Sequence, residues 1–237
     1  MAIRKKTPGE AGVAAVNRAL TVVVALETAG EAMSLAELSR KTGLYKSTLL
    51  RLIASLEQFA LVVARPDKKY CLGPLALRLG RSFEATDHLQ DQVMPALDRL
   101  VEEGTESASF HVRHGKQRLC MFRVDSRHST LDRLKAGDLL PMDRGGAGKA
   151  IRTFEQPLSR EDLLKMENVV ESFGARNPAI AGLSAPVFGV GGIFCGVISL
   201  SGPIERFTDS NVRKMKRLLI AECRSVTTAL GGEWPWP

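Results

Sequence analysis

Four cysteines in 237 residues, Cys71, Cys120, Cys195 and Cys223, stand far apart, with no CxxC pair and no histidine at zinc-ligand spacing. That excludes the common zinc and dithiol motifs. Three of the cysteines sit in apolar surroundings and read as small core residues, in a protein from a reducing cytoplasm. Histidine is equally sparse, and no catalytic spacing of Ser, Cys or Asp accompanies His88, His111, His114 or His128. No enzyme is expected. Apolar runs of about 18 residues are missing, so no membrane partner is expected. Arg4, Lys5 and Lys6 are followed by Pro8, Gly9, Glu10 and Gly12 rather than by the apolar stretch of a leader. A nucleotide loop is missing too. Ahead of Gly148-Lys149, Asp143 stands where its first glycine belongs, and Ala150 replaces its Ser/Thr. No cofactor and no metal is called for.

What the sequence does have is an uneven charge. The net charge is +7; residues 1–86 hold 13 Lys/Arg against 7 Asp/Glu, and the remainder is nearly balanced. An excess of that kind marks a phosphate-binding module on an otherwise neutral protein. Within it lies Ser34 to Phe59, which reads as two short helices around Thr42-Gly43-Leu44. Ser34 and Glu37 form a capping box. Gly43 supplies a turn where a Cβ would be costly. In the second helix Leu49, Leu52, Ile53 and Leu56 recur at i, i+3, i+4 and i+7. Ser47, Arg51, Ala54, Ser55 and Gln58 fall opposite, a small polar face able to enter a major groove. On this pattern alone, a plain helical hairpin with a solvated face is an equal alternative.

The flanking sequence narrows the choice. A basic arm over 1–12 precedes a helix from about Val13 to Ala29, expected to bury Val16, Leu20, Val23, Val24 and Leu26. After the helix pair, Leu61–Ala64 and Tyr70–Leu72 flank the turn Pro66-Asp67-Lys68-Lys69, a basic hairpin. Two helices followed by such a hairpin make a winged helix, assigned to 13–73. Gly73-Pro74 opens a linker helix over 74–86. From 87 to 232 the pattern predicts an α+β domain, a mostly antiparallel sheet flanked by helices, with 233–237 as a tail. Its parts are an amphipathic helix ending at Gly104, a hairpin around Gly115-Lys116, and a strand near Leu131 to Lys135. A helix from Gly146 to about Phe154 and another capped by Ser159 come next. Strands at Val169-Val170, Ala185 to Val190 and Ile193 to Leu200 follow, then a final helix capped by Thr208.

In order and spacing, VNRALTVVVAL, the Ser34–Val62 stretch, KYCLGPLALRLG, LLPM with GGAGKA, AGLSAPVF and VISLSGPIERFT resemble the IclR family of bacterial transcriptional regulators over about 13 to 232. The resemblance implies a winged helix-turn-helix, a linker helix and a C-terminal effector-binding domain like the GAF fold. It also implies a homodimer or homotetramer on double-stranded operator DNA, controlled by a small carboxylate effector. A ligand-independent DNA-binding protein, or an enzyme using the winged module for docking, are the alternatives.

Lys46, Ser47 and Thr48 occupy the first turn of the second helix, where backbone N–H groups point at phosphate. Arg51 is the candidate base reader, its fork matching guanine O6 and N7. Tyr45 either contacts phosphate or packs. Arg65, Lys68 and Lys69 are wing candidates. The resemblance puts the effector at Gly145-Gly146-Ala147, where a helix start offers bare N–H groups to a carboxylate. Ser199 and Ser201 would be its partners, sharing one strand face by period two. Met121 and Met142 would be its walls. Many family members carry an acidic run before AGLSAPVF; here Ser172, Phe173, Gly174 and Ala175 replace it and Arg176 follows. Arg144 or Arg176 pointing inward would favour an anion, whereas Phe173 would let an aromatic acid stack. The sequence does not choose between them.

Overall fold

The structure, a computed structural model, describes residues 12–86, 88–127, 134–156 and 158–237. The chain divides into two compact units, Met1–Thr86 and Asp87–Pro237. The predicted basic arm, apart from Gly12, lies outside the described residues, as does the start of the strand expected near Leu131; Leu134 and Lys135 belong to no strand.

The first unit begins with α1 (Ala14–Ala29), closed by Gly30 in the left-handed conformation. A two-residue strand β1 (Met33–Ser34) leads into α2 (Leu35–Thr42). The Ser34–Glu37 capping box is formed on both sides, and Gly43 ends α2 with φ 70°. Ser39 and Thr42 then tie the turn, their hydroxyls donating to the Leu44 and Leu38 carbonyls at 2.7 Å each. The next helix, α3 (Lys46–Gln58), buries Leu49, Ile53 and Leu56. β2 (Val62–Ala64) and β3 (Lys69–Leu72) form the wing, and β1 pairs with β3 to complete a three-stranded antiparallel sheet. α4 (Pro74–Thr86) follows, its start held to the turn after α3 by the Leu75 N–H donating to the Ala60 carbonyl at 3.1 Å.

One expectation for α1 fails. Its core side is Val22, Ala25 and Leu26, whereas Val16, Leu20 and Val24 are more than half exposed. Apolar residues surround much of this helix. The α2–α3 pair covers one stripe only, and i, i+3, i+4 spacing is satisfied by either.

In the second unit α5 (His88–Glu102) precedes the hairpin β4 (Ser107–His114) and β5 (Gln117–Val124). Then come β6 (Leu139–Pro141), α6 (Gly146–Phe154), α7 (Arg160–Leu164), β7 (Val170–Phe173), β8 (Ile180–Phe188), β9 (Phe194–Pro203) and α8 (Asp209–Ala229). The six strands form one antiparallel sheet in the order β6-β5-β4-β9-β8-β7. Strand alternation divides it into two faces. Glu171 pairs with Lys216 of α8, while on the opposite side its neighbour Ser172 lies under Gly146 of α6. α8 is clamped to α5 by Arg99, whose guanidinium donates twice to the Glu222 carboxylate, at 2.7 and 3.0 Å.

The predicted tail packs into the core. Trp234 and Trp236 are over 90% buried. The Trp236 ring meets Phe154 edge-on at 5.9 Å, and its N–H donates to the Met166 carbonyl at 3.0 Å. Two indoles bury more apolar surface than any other pair of side chains.

Candidate functional site

The first candidate surface is the outer side of α3 and the wing. Tyr45 precedes α3 and supplies no side-chain cap, so the first-turn N–H groups of Lys46, Ser47 and Thr48 lack a side-chain acceptor at that end. Tyr45 is 83% exposed, which removes packing as its role within this unit. Lys46, Ser47 and Arg51 are exposed and Thr48 is half-buried. With Leu50, Ala54, Ser55 and Gln58 they make a continuous face with no carboxylate. Glu57 is the one acid on the exposed part of α3, at its far end.

The wing turn is held by the Arg65 N–H donating to the Lys69 carbonyl at 2.8 Å and the Lys68 N–H to the Arg65 carbonyl at 3.0 Å. Lys68 sits at the tip with φ 59°, its side chain in solvent. Lys69 behaves differently. It is half-buried and lies in the field of Glu37, whose carboxyl is held below the usual range chiefly by hydrogen bonds from Ser34 and secondarily by Lys69. Arg65 stands near Asp67 at 3.9 Å, both exposed. Such a pair contributes little and leaves the guanidinium able to exchange partners.

The second candidate lies beneath α6. The register places Ser109, Ser199 and Ser184 side by side across β4, β9 and β8, with Ser107, Ser201, Gly182 and Ser172 in the next row on the same face. The Ser184 and Ser199 hydroxyls are 2.5 Å apart. The start of α6 rides above them. A Cβ on Gly146 would stand 3.1 Å from the Ser184 hydroxyl, and one on Gly148 would collide with the Met142 carbonyl. Gly146 sets how closely the helix approaches the serines, and Gly148 how closely it approaches the Met142 backbone. Gly145 supplies no side-chain cap to α6. Between helix and sheet a cavity of about 50 Å³ remains, bounded by Gly145, Gly146 and Ala147 above and by Ser109, His111 and Arg118 among others below.

Of the expected effector residues, Gly145, Gly146, Ala147, Ser199 and Ser201 border this cavity. Met121, Met142 and Arg144 do not. Met142 is buried behind α6, where its carbonyl accepts from Arg152; Met121 packs against the core from β5; Arg144 faces solvent. Arg176 does border it. Phe173 points to the other side of β7 and meets Phe207 edge-on at 6.3 Å, so it offers the cavity no stacking surface. Period-two alternation decides this, because Ser172 takes the inward position.

Sequence reasoning missed Ser109, His111, Arg118 and Ser184. The signal for two of them was the alternation Ser107, Ser109, His111 in SASFHVRH. The His111 Nε2 lies 3.0 Å from the Ser109 hydroxyl. Burial, then the charges of Arg118, Arg123 and Arg176, hold the imidazole well below its ordinary pKa, so it is neutral. A Ser–His pair invites an enzymatic reading. However, no acid orients this ring, since its Nδ1 is buried without a partner, and a triad requires that third group. No group of three or more metal-ligating side chains exists among the described residues, and no helix among them is long and apolar enough to cross a membrane.

A two-helix turn with a basic wing defines a class: a winged-helix DNA-binding regulator of transcription. Residues 15–66 match the family model of the IclR helix-turn-helix domain. The chain is 26% identical to the transcriptional repressor IclR of Escherichia coli K12, covering 95% of this chain and 93% of that one. It is 24% identical to the HTH-type transcriptional regulator BhcR of Paracoccus denitrificans, covering 91% and 87%. A crystal structure of an IclR transcriptional regulator from Silicibacter sp. TM1040 superposes with a TM-score of 0.80 at 21% identity, covering 94% and 99%. An IclR homologue from Microbacterium hydrocarbonoxydans, solved in complex with 4-hydroxybenzoate, superposes with a TM-score of 0.73 at 16% identity, covering 92% and 99%. Residues 15–66 thus carry an IclR-type helix-turn-helix domain, and over most of its length the chain is similar to transcriptional regulators of the IclR family.

Proposed function

We propose that this regulator reads operator DNA through Tyr45, Lys46, Ser47, Thr48 and Arg51, with Arg65, Lys68 and Lys69 on the flanking backbone. We propose further that its operator binding is controlled by a small carboxylate held under α6. One observation carries the effector reading. A helix start without a side-chain cap faces a cavity floored by serines, in a unit separate from the basic one. Bare N–H groups and the positive helix end favour an anion. Serine hydroxyls then serve its second oxygen or a neighbouring substituent. The 4-hydroxybenzoate complex of the Microbacterium homologue is consistent with a carboxylate ligand for this fold.

Self-association completes the reading. Val13, Val16, Leu20 and Val24 form an exposed apolar stripe along α1, and Leu77 and Leu79 are exposed on α4. Contiguous apolar faces of this kind are uncommon on monomers. They support a homodimer, or a tetramer built from it, which would set two reading helices on two half-sites.

Thermal denaturation with a panel of small organic acids tests the effector reading. A ligand at one hundred times its dissociation constant stabilises by about 2.7 kcal/mol, a shift easily read. Stabilisation by one of these acids, with altered retention of duplexes selected from a random pool, supports it. Tight duplex binding with no stabilisation by any acid contradicts it and favours a ligand-independent DNA binder.

A further inference from the structure

We propose that α5 and α8 together form a contact surface for a second copy of this chain, with an acidic stripe on each α5 lying along a basic stripe on α8 of the other copy. This contact is independent of the effector reading and uses a face other than the α1 stripe.

Within one chain the two helices are antiparallel neighbours. Arg99 donates to Glu222, whereas the Glu103 carbonyl, further along the chain, accepts from Lys214, earlier in α8. Each helix keeps an exposed line of charge of one sign. On α5 it is Asp91, Asp98 and Glu102; on α8 it is Arg213, Arg217 and Arg224. At roughly 100° per residue, each trio stays within about 20° of one line along its helix. α5 has no lysine, and its one arginine, Arg99, is taken by Glu222. From Arg213 onward α8 exposes no acid. Among the described residues none of the six has an ion-pair partner. Asp98 and Glu102, like Arg213 and Arg217, are like charges one helical turn apart, which destabilises a helix that nothing opposite compensates.

The two lines are complementary in spacing as well as in sign. Along α5 the acids are separated by seven and then four residues; read backwards along α8, the arginines are also separated by seven and then four. Laid antiparallel, Asp91 meets Arg224, Asp98 meets Arg217 and Glu102 meets Arg213, over about 16 Å at roughly 1.5 Å per residue. Pro95 and Ala221, both exposed, lie between the first two of these pairs and present little bulk to hold the helices apart. A twofold axis running along the helices lays α5 of each copy on α8 of the other in this antiparallel sense, so each pair forms twice. Isolated exposed pairs contribute little, whereas a network of them does contribute.

Charge reversal tests this by sedimentation of the full chain at about 0.1 M salt, where the screening length is about 10 Å. Arg217→Glu should weaken association about tenfold or more and halve the mass of the assembly, because like charges then face each other. Asp98→Arg should do the same. Asp98→Arg combined with Arg217→Glu puts opposite charges back at that pair and should recover the wild-type mass, a rescue that a structural role for either residue would not give. Raising the salt to about 1 M, where the screening length is about 3 Å, should act as the single variants do. Leu20→Glu separates this contact from the one through α1: it should leave a dimer, and with Arg217→Glu a monomer. Unchanged mass in both charge-reversal variants, a double variant no better assembled than the singles, or a monomer with Leu20→Glu alone overturns the proposal and leaves α1 association and the effector reading standing. A wild type that is monomeric at about 0.1 M salt overturns this contact and the α1 one together.

Discussion

The two units handle polar side chains in opposite ways. The winged unit puts its polar groups outside: Tyr45, Lys46, Ser47 and Arg51 are exposed around a helix start without a side-chain cap, and the wing tip carries Lys68. The ligand unit buries its polar groups: Ser109, His111, Arg118, Ser184 and Ser199 are each no more than 5% exposed. Both use an uncapped helix N-terminus. On the proposed reading that feature meets a polyanion from solvent on the surface, where affinity depends on salt, and one small anion inside the cavity, where the low local dielectric makes each unpaired group expensive.

Core substitutions mark the outer limit of this contrast. Phe110 is fully buried behind the serine face and stacked on Phe122 at 6.2 Å. Phe110→Ala should cost about 3–5 kcal/mol, read by urea unfolding, and should abolish acid binding. If the units are independent, the winged unit of this variant still binds duplex.

The next largest effect concerns reading. Arg51→Ala should cost about 1–3 kcal/mol at one base pair and relax preference there, read by selection from a random duplex pool. An unchanged preference removes Arg51 from the reading role.

The pH dependence of stability tests the buried side. A histidine held neutral in the folded state binds a proton only when unfolded, so the unfolded chain carries more protons below its ordinary pKa of about 6.5. Its stabilising contribution is therefore full above that value and is lost as pH falls through it, by up to about 1.4 kcal/mol per pH unit. His111→Gln should flatten that loss in urea titrations between neutral and mildly acidic pH. An unchanged slope would contradict the neutral imidazole.

Smaller effects belong to the winged unit. Ser34→Ala removes the α2 capping box and should cost about 1 kcal/mol, again read by urea. Lys68→Ala should lower affinity for all duplexes alike and reduce the salt slope by about one. Lys69→Ala, which also disturbs Glu37, should change stability as well as affinity.

Much of the winged unit was legible because short-range rules govern it. Ser34–Glu37, Gly43 and the Lys68-Lys69 turn each declare themselves within five residues. The Gly146–Phe154 helix was legible for the same reason. The ligand cavity was only half legible. Its ceiling is one contiguous glycine stretch, but its floor is assembled by register from β4, β8 and β9, so Ser109 and Ser184 meet Ser199 across gaps of 90 and 15 residues. Arg144 and Arg176 looked equivalent in sequence; only the fold distinguishes the exposed one from the one at the cavity. For α1, an apolar pattern around much of the helix left two possible core stripes, and packing took the one containing Val22. The two tryptophans in EWPWP were signal enough to doubt a free tail.

The central claim is that acid bound under α6 changes DNA binding by a different unit. Its most direct measure is the dissociation constant of the full chain for a selected duplex, with and without a saturating small carboxylate that stabilises the chain, at fixed salt. Coupling between sites is typically worth about 1–3 kcal/mol, so the account predicts a shift of at least about fivefold. Identical dissociation constants with the acid demonstrably bound would contradict it.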